Sequence, residues 1–174
     1  MHILLAVLAI LGGGAFWWFR MRNIADAASD VHDVAGKAWG KYKRAKFRKK
    51  VNDSPLEAVQ DPMAAALVML LSIAKADGPV TNRAETLITR FATEDMQADD
   101  ATELLTFSNW VVGHVVDAND VARRYSKLWG NALNLEERRQ FFEMARRVAE
   151  VDGAVTHTKE AILSRLKERL GFTA

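Results

Sequence analysis

The chain has 174 residues, 24 Lys plus Arg against 22 Asp plus Glu, and no cysteine. That length allows one ordinary domain, or one domain with an attachment, and the 49% apolar share calls for a folded chain. The missing thiols exclude a disulfide scaffold, thiolate zinc ligands and a cysteine nucleophile.

The net charge of +2 conceals a split: residues 1–50 balance to +7 and residues 51–174 to −5. The basic character belongs to the first part alone, and an acidic body argues against nucleic acid as a partner.

Residues 1–22 read as a transmembrane anchor. No charge interrupts Ile3 to Phe19. As a helix this run spans about 26 Å, close to a bilayer core of about 30 Å. Trp17 and Trp18 stand where an interfacial aromatic belt would lie, and Gly12, Gly13 and Gly14 permit close approach of another helix. An amphipathic or buried segment is one alternative; a cleaved signal peptide, the other, would need basic residues before the apolar run and small residues after it, and here Arg20 and Arg22 follow it. By the positive-inside rule the following residues stay in the cytoplasm, which gives a single-pass protein of the bacterial cytoplasmic (inner) membrane with a cytoplasmic C-terminal domain.

Residues 23–50 form a basic juxtamembrane helix or linker. Ile24, Ala28, Val31, Ala35, Ala38 and Tyr42 recur at helical spacing. Lys41, Lys43, Arg44, Lys46, Arg48, Lys49 and Lys50 then place seven positive charges in ten positions. Such a cluster is drawn to anionic lipid headgroups by about 1 kcal/mol per charge, and a solvated linker that merely fixes topology is the alternative.

Residues 51–174 read as an all-α body. Ser54-Pro55 and Asp61-Pro62 each pair a cap with a first-turn proline. Met63 to Ala76 is almost wholly apolar and too short to span a bilayer, so it is expected as the buried helix of a bundle. Its end, Asp77-Gly78-Pro79-Val80-Thr81, returns 75 positions later as Asp152-Gly153-Ala154-Val155-Thr156. Over 73–88 and 148–163 the identities are Ala74/Ala149, Asp77/Asp152, Gly78/Gly153, Val80/Val155, Thr81/Thr156 and Glu85/Glu160. This is an internal repeat of a helix–turn–helix unit. In each copy Gly is expected to end one helix and Thr to cap the next, with Asp accepting from N–H groups of its own turn. Between the copies, helices are expected from Asp99 to about Val116, after an Asp120 cap, and after an Asn134 cap with Glu137 as its capping-box partner. A last helix runs from His157 to Leu170. The total is about six main helices plus a short turn at Pro55, with no alternating strand pattern.

The segments AKADGPVTNRAE (74–85) and AEVDGAVTHTKE (149–160) make the body resemble the TerB-like family, the helical domain of tellurite-resistance proteins. The same domain occurs in membrane-anchored DnaJ-like co-chaperones. The resemblance covers about Asp61 to Phe172 and implies a pseudo-twofold helical bundle. It also implies a metal-binding or interaction role at the membrane, with Asp77, Glu85, Asp152 and Glu160 at the matching acidic positions. The sequence holds no His-Pro-Asp tripeptide, so no J-domain activity is expected.

Those four carboxylates could hold a hard divalent cation such as Ca²⁺ or Mg²⁺, or serve as ordinary turn and first-turn acids. Their spacing does not fit an EF-hand. His2, His32, His114 and His157 are scattered, and no HExxH, nucleophile elbow or phosphate loop is present. No catalytic residue, resident cofactor or small-molecule substrate is therefore expected. Trp110 and Trp129 are the candidate partner contacts, because Trp is seldom fully buried. The reading is a non-enzymatic, membrane-tethered interaction or scaffold protein, an accessory subunit with a bilayer and a protein as partners. A cation-binding stress or tellurite-response sensor and a cryptic metal-dependent enzyme are the alternatives.

Overall fold

A computed structural model describes residues 55–114 and 117–172. The anchor glycines and tryptophans and the basic cluster of the sequence reading lie outside these residues. Among the described residues no helix is long and apolar enough to cross a membrane, and no strand occurs.

Seven α-helices follow in order: α1 (Pro55–Ala58), α2 (Pro62–Ala74), α3 (Asn82–Arg90), α4 (Ala101–Gly113), α5 (Ala118–Ala132), α6 (Leu135–Glu150) and α7 (His157–Arg169). The sequence dictates where most of them start. Asp61 accepts hydrogen bonds from the N–H groups of Met63 and Ala64, and Pro62 occupies the first turn, where its missing N–H is no loss. Asn134 and Glu137 form the expected capping box. Helix α5 departs from expectation: its cap is Asp117, which is extended and accepts from Asn119, while Asp120 sits inside the first turn and pairs with Arg123. The fourth helix is also shorter than expected, capped by Asp100 and ending at Gly113.

Helix α2 is the hub. Every residue from Ala64 to Ala74 is buried, because α3, α4, α5 and α6 all pack around it. A helix apolar on every side has no other stable place in water. Helix α7 closes the bundle against α5 and α6. The aromatic core lies along one side of this hub. Trp129 contacts Tyr125 edge-on at 5.8 Å between ring centroids and tilts against Phe141 at 4.9 Å. Its indole N–H donates to the carbonyl of Pro62, and the Tyr125 hydroxyl donates to that of Leu56. These two bonds tie α1 and the start of α2 to α5. Burial pushes the Tyr125 hydroxyl well above the usual phenol range.

Helix α3 does not stop at Arg90 but widens into a π-helical turn, Phe91–Asp95. The wider turn lets Phe91, Ala92 and Met96 all face inward. Arg147 of α6 lies 4.9 Å over the Phe91 ring. Asp95 at the end of this turn has its carboxyl raised above the usual range: burial outweighs the attraction of Arg147 and Arg90. Its ionised form therefore opposes folding. We expect Asp95→Asn to stabilise the fold at neutral pH. The gain should fade as pH falls through the raised value toward the ordinary 3.8, where both states carry the proton. Urea unfolding of the two proteins across that range checks the sign.

One buried hydroxyl in α4 is unsatisfied. Ser108 is fully buried, and its Oγ has no hydrogen-bond partner among the described residues. Leaving such a group unpaired costs about 1–3 kcal/mol. Ser108→Ala is thus expected to raise stability by about 1 kcal/mol, read as a higher urea midpoint at unchanged slope.

Paired turns as the candidate functional site

The repeat places two equivalent turns in the structure, and each is built by the same local chemistry. Helices α2 and α6 end at the right-handed caps Lys75 and Val151, and the chain then turns at Gly78 (φ +148°) and Gly153 (φ +129°), values that a side chain opposes. Thr81 and Thr156 then take nearly identical extended conformations and cap α3 and α7. Thr81 Oγ1 accepts from the Ala84 N–H at 3.2 Å, and Thr156 Oγ1 from the Lys159 N–H at 3.3 Å.

The aspartates do not serve their own turns as expected. Thr81 donates its hydroxyl to Asp152, 2.8 and 3.0 Å from the two carboxylate oxygens. Thr156 donates to Asp77 at 2.9 and 3.1 Å. Each turn thus supplies the carboxylate for the other's cap, and each carboxylate lies at the positive end of the other repeat's second helix. The two copies are interlocked through four side chains.

The interlock is unequal in one respect. Where the first copy has the small, buried Ala84, the second has Lys159. Lys159 is only 6% exposed, and its ammonium lies 3.6 Å from Asp77 Oδ2. Asp77 therefore answers both a hydroxyl and a buried cation, whereas Asp152 answers a hydroxyl.

Glu85 and Glu160, the other two members of the sequence-predicted cation set, stand apart. Glu85 is exposed in the first turn of α3 and makes no ion pair among the described residues, and Glu160 pairs with the exposed His157 at 3.3 Å. Among the described residues, no three His, Asp or Glu side chains gather closely enough to hold a metal ion.

Residues 63–174 match the family described as tellurite resistance protein TerB. The chain belongs to the TerB family. The TerB match begins within α2 and takes in both interlocked turns, so family and repeat coincide. No curated protein and no solved structure matches the chain.

The two tryptophans proposed as contacts part company within this TerB domain. Trp129 is fully buried and belongs to the aromatic core described above, which removes it as a surface contact. Trp110 is half-buried, near the end of α4, with its ring 4.4 Å from that of His114. The His114 Nδ1–H donates to the Trp110 carbonyl at 2.8 Å, which holds the two rings together at the surface. Sequence reasoning missed Lys159, because a lysine in a first turn reads as solvated. Its one signal was the break in the repeat, Lys against Ala, at an otherwise apolar-facing position.

Proposed function

We propose that this protein is a membrane-tethered TerB domain that works by binding other proteins rather than by catalysis. The observation that carries the reading is the charge step: an apolar, uncharged run, a +7 segment after it, and a −5 body. That order matches an anchored protein whose helical domain faces the cytoplasm of a bacterium. The buried, well-packed body and the hydroxyl-bound aspartates support a binding role over a reaction centre. The basic cluster Lys41–Lys50 would lie against anionic headgroups at the bilayer.

Two measurements test this. A reporter fused after Ala174 should be active on the cytoplasmic side, and an extracytoplasmic reporter would refute the orientation. Photo-crosslinkers placed singly on exposed positions of α3, α5 and α6 in membranes should capture a protein at one face reproducibly. Absence of any such adduct would refute the binding role.

A cation-responsive sensor would have to use Asp77 and Asp152 with their threonine bonds in place. Saturating a site on the folded protein a hundredfold above its Kd adds about 2.7 kcal/mol of stability. We expect no such rise in melting temperature with millimolar Ca²⁺ or Mg²⁺. A clear rise that Asp152→Asn abolishes would restore the sensor reading.

A further inference from the structure

A second surface lies away from the interlocked turns. A groove of about 530 Å³ opens between α6 and the end of α7. Phe142 and Phe172 line it, with their rings edge to face at 6.3 Å, and Leu135 lines it from the first residue of α6. Among the described residues Leu135 is the one exposed large hydrophobic side chain, at 48%. Leu135 extends the Phe142–Phe172 pair into one small contiguous apolar surface within a groove that is otherwise polar.

The charges around the groove narrow what would dock there. Arg139, Lys167 and Glu143 also line it. Glu143 is already taken: Arg146 donates to both its oxygens and holds its carboxyl below the usual range. Arg139 is 3.7 Å from Glu136, a solvent-exposed pair of little strength. Lys167 has no ion pair among the described residues. The groove thus sets two cations, Arg139 and Lys167, beside an apolar Leu–Phe surface, on a body whose net charge is negative. Complementarity of charge fixes which partners dock and in which register.

We propose that this groove docks an acidic segment of a partner protein, with one Leu or Phe side chain laid against Phe142 and Phe172 and flanking carboxylates directed to Lys167 and Arg139. The inference rests on the protein-binding reading above and supplies its face and the chemistry of its partner. Basic peptides are disfavoured at the groove itself, and the −5 body around it would draw them elsewhere.

The test uses the full-length chain in phosphatidylcholine nanodiscs and a fluorescent peptide in which Leu-Phe pairs alternate with Asp-Glu pairs. Anisotropy should show saturable binding. Leu135→Ser and Lys167→Glu, both at exposed positions, should each weaken it about tenfold, while Lys127→Glu on α5 should leave it within about twofold. Circular dichroism confirms that each variant keeps its helices. The proposal is overturned if the Leu135 and Lys167 variants bind like the parent, or if a peptide with Lys-Arg pairs binds with the same sensitivity to Leu135. It is also overturned if phosphatidylserine vesicles, rather than the acidic peptide, show the sensitivity to Leu135 and Lys167. A crosslink captured at another face with this groove silent would refute the groove and leave the protein-binding reading standing. Silence at every face would refute both.

Discussion

Trp129→Ala is expected to destabilise the domain by about 3–5 kcal/mol, a large part of the stability of an ordinary domain. The indole is fully buried between Tyr125 and Phe141, so its removal leaves a cavity in the aromatic core. The Pro62 carbonyl also loses one donor, the indole N–H, at the point where α2 begins. Trp129→Phe should cost roughly 1–2 kcal/mol, since it keeps most of the packing and loses the indole N–H. Trp110→Ala, at the half-buried position, should cost about 1 kcal/mol or less. Urea midpoints for the three variants check the order. Equal losses for Trp110 and Trp129 would contradict the placement of Trp129 in the core.

The second large effect is an asymmetry between two residues that look equivalent in the sequence. Asp77→Ala is expected to cost about 2–3 kcal/mol and Asp152→Ala about 1 kcal/mol. Each change strips a threonine hydroxyl of its acceptor. Only Asp77→Ala also leaves the buried ammonium of Lys159 without its carboxylate. The figure sits below that for a fully buried pair because Asp77 keeps a third of its side-chain surface in water. Lys159→Met should then relieve most of the Asp77→Ala penalty, and it should do nothing for Asp152→Ala. A double-mutant cycle of Thr81 with Asp152 should give a coupling of about 0.5–1.5 kcal/mol at a sequence distance that no local effect can span. Equal costs for the two aspartates would contradict the role given to Lys159.

Much of this fold can be read from local chemistry. Asp61, Thr81, Asn134 and Thr156 announce helix starts because a cap is a bond between neighbours a few positions apart. The buried helix Pro62–Ala74 is legible because a run that is apolar apart from Ser72 has no stable place but a core. Depth and distance are harder. Helical spacing puts Tyr125 and Trp129 on one face but does not say that this face is the centre of the domain. The bonds from Thr81 to Asp152 and from Thr156 to Asp77 join residues 71 and 79 positions apart. They depend on how the two repeats pack, so the sequence pointed each aspartate at its own turn instead. The π-helical turn at Phe91–Asp95 is hidden for a related reason, since Thr93-Glu94-Asp95 reads as a polar stretch until Phe91, Ala92 and Met96 are seen packed beneath it. Of the candidate site, the residues were legible and the partners were not. The carboxylates were singled out as a possible cation set, and two of the four turned out to be held by hydroxyls.

The exchange between the turns has the form of an isologous contact, in which one residue meets a second and the second's equivalent meets the first's. Symmetric homodimers make such contacts between chains. Here both halves belong to one polypeptide, so the exchange survives any dilution, whereas a dimer's would dissolve with falling concentration. Two halves on one polypeptide can also differ: Lys159 at the position equivalent to Ala84 is a difference that two identical protomers could never hold.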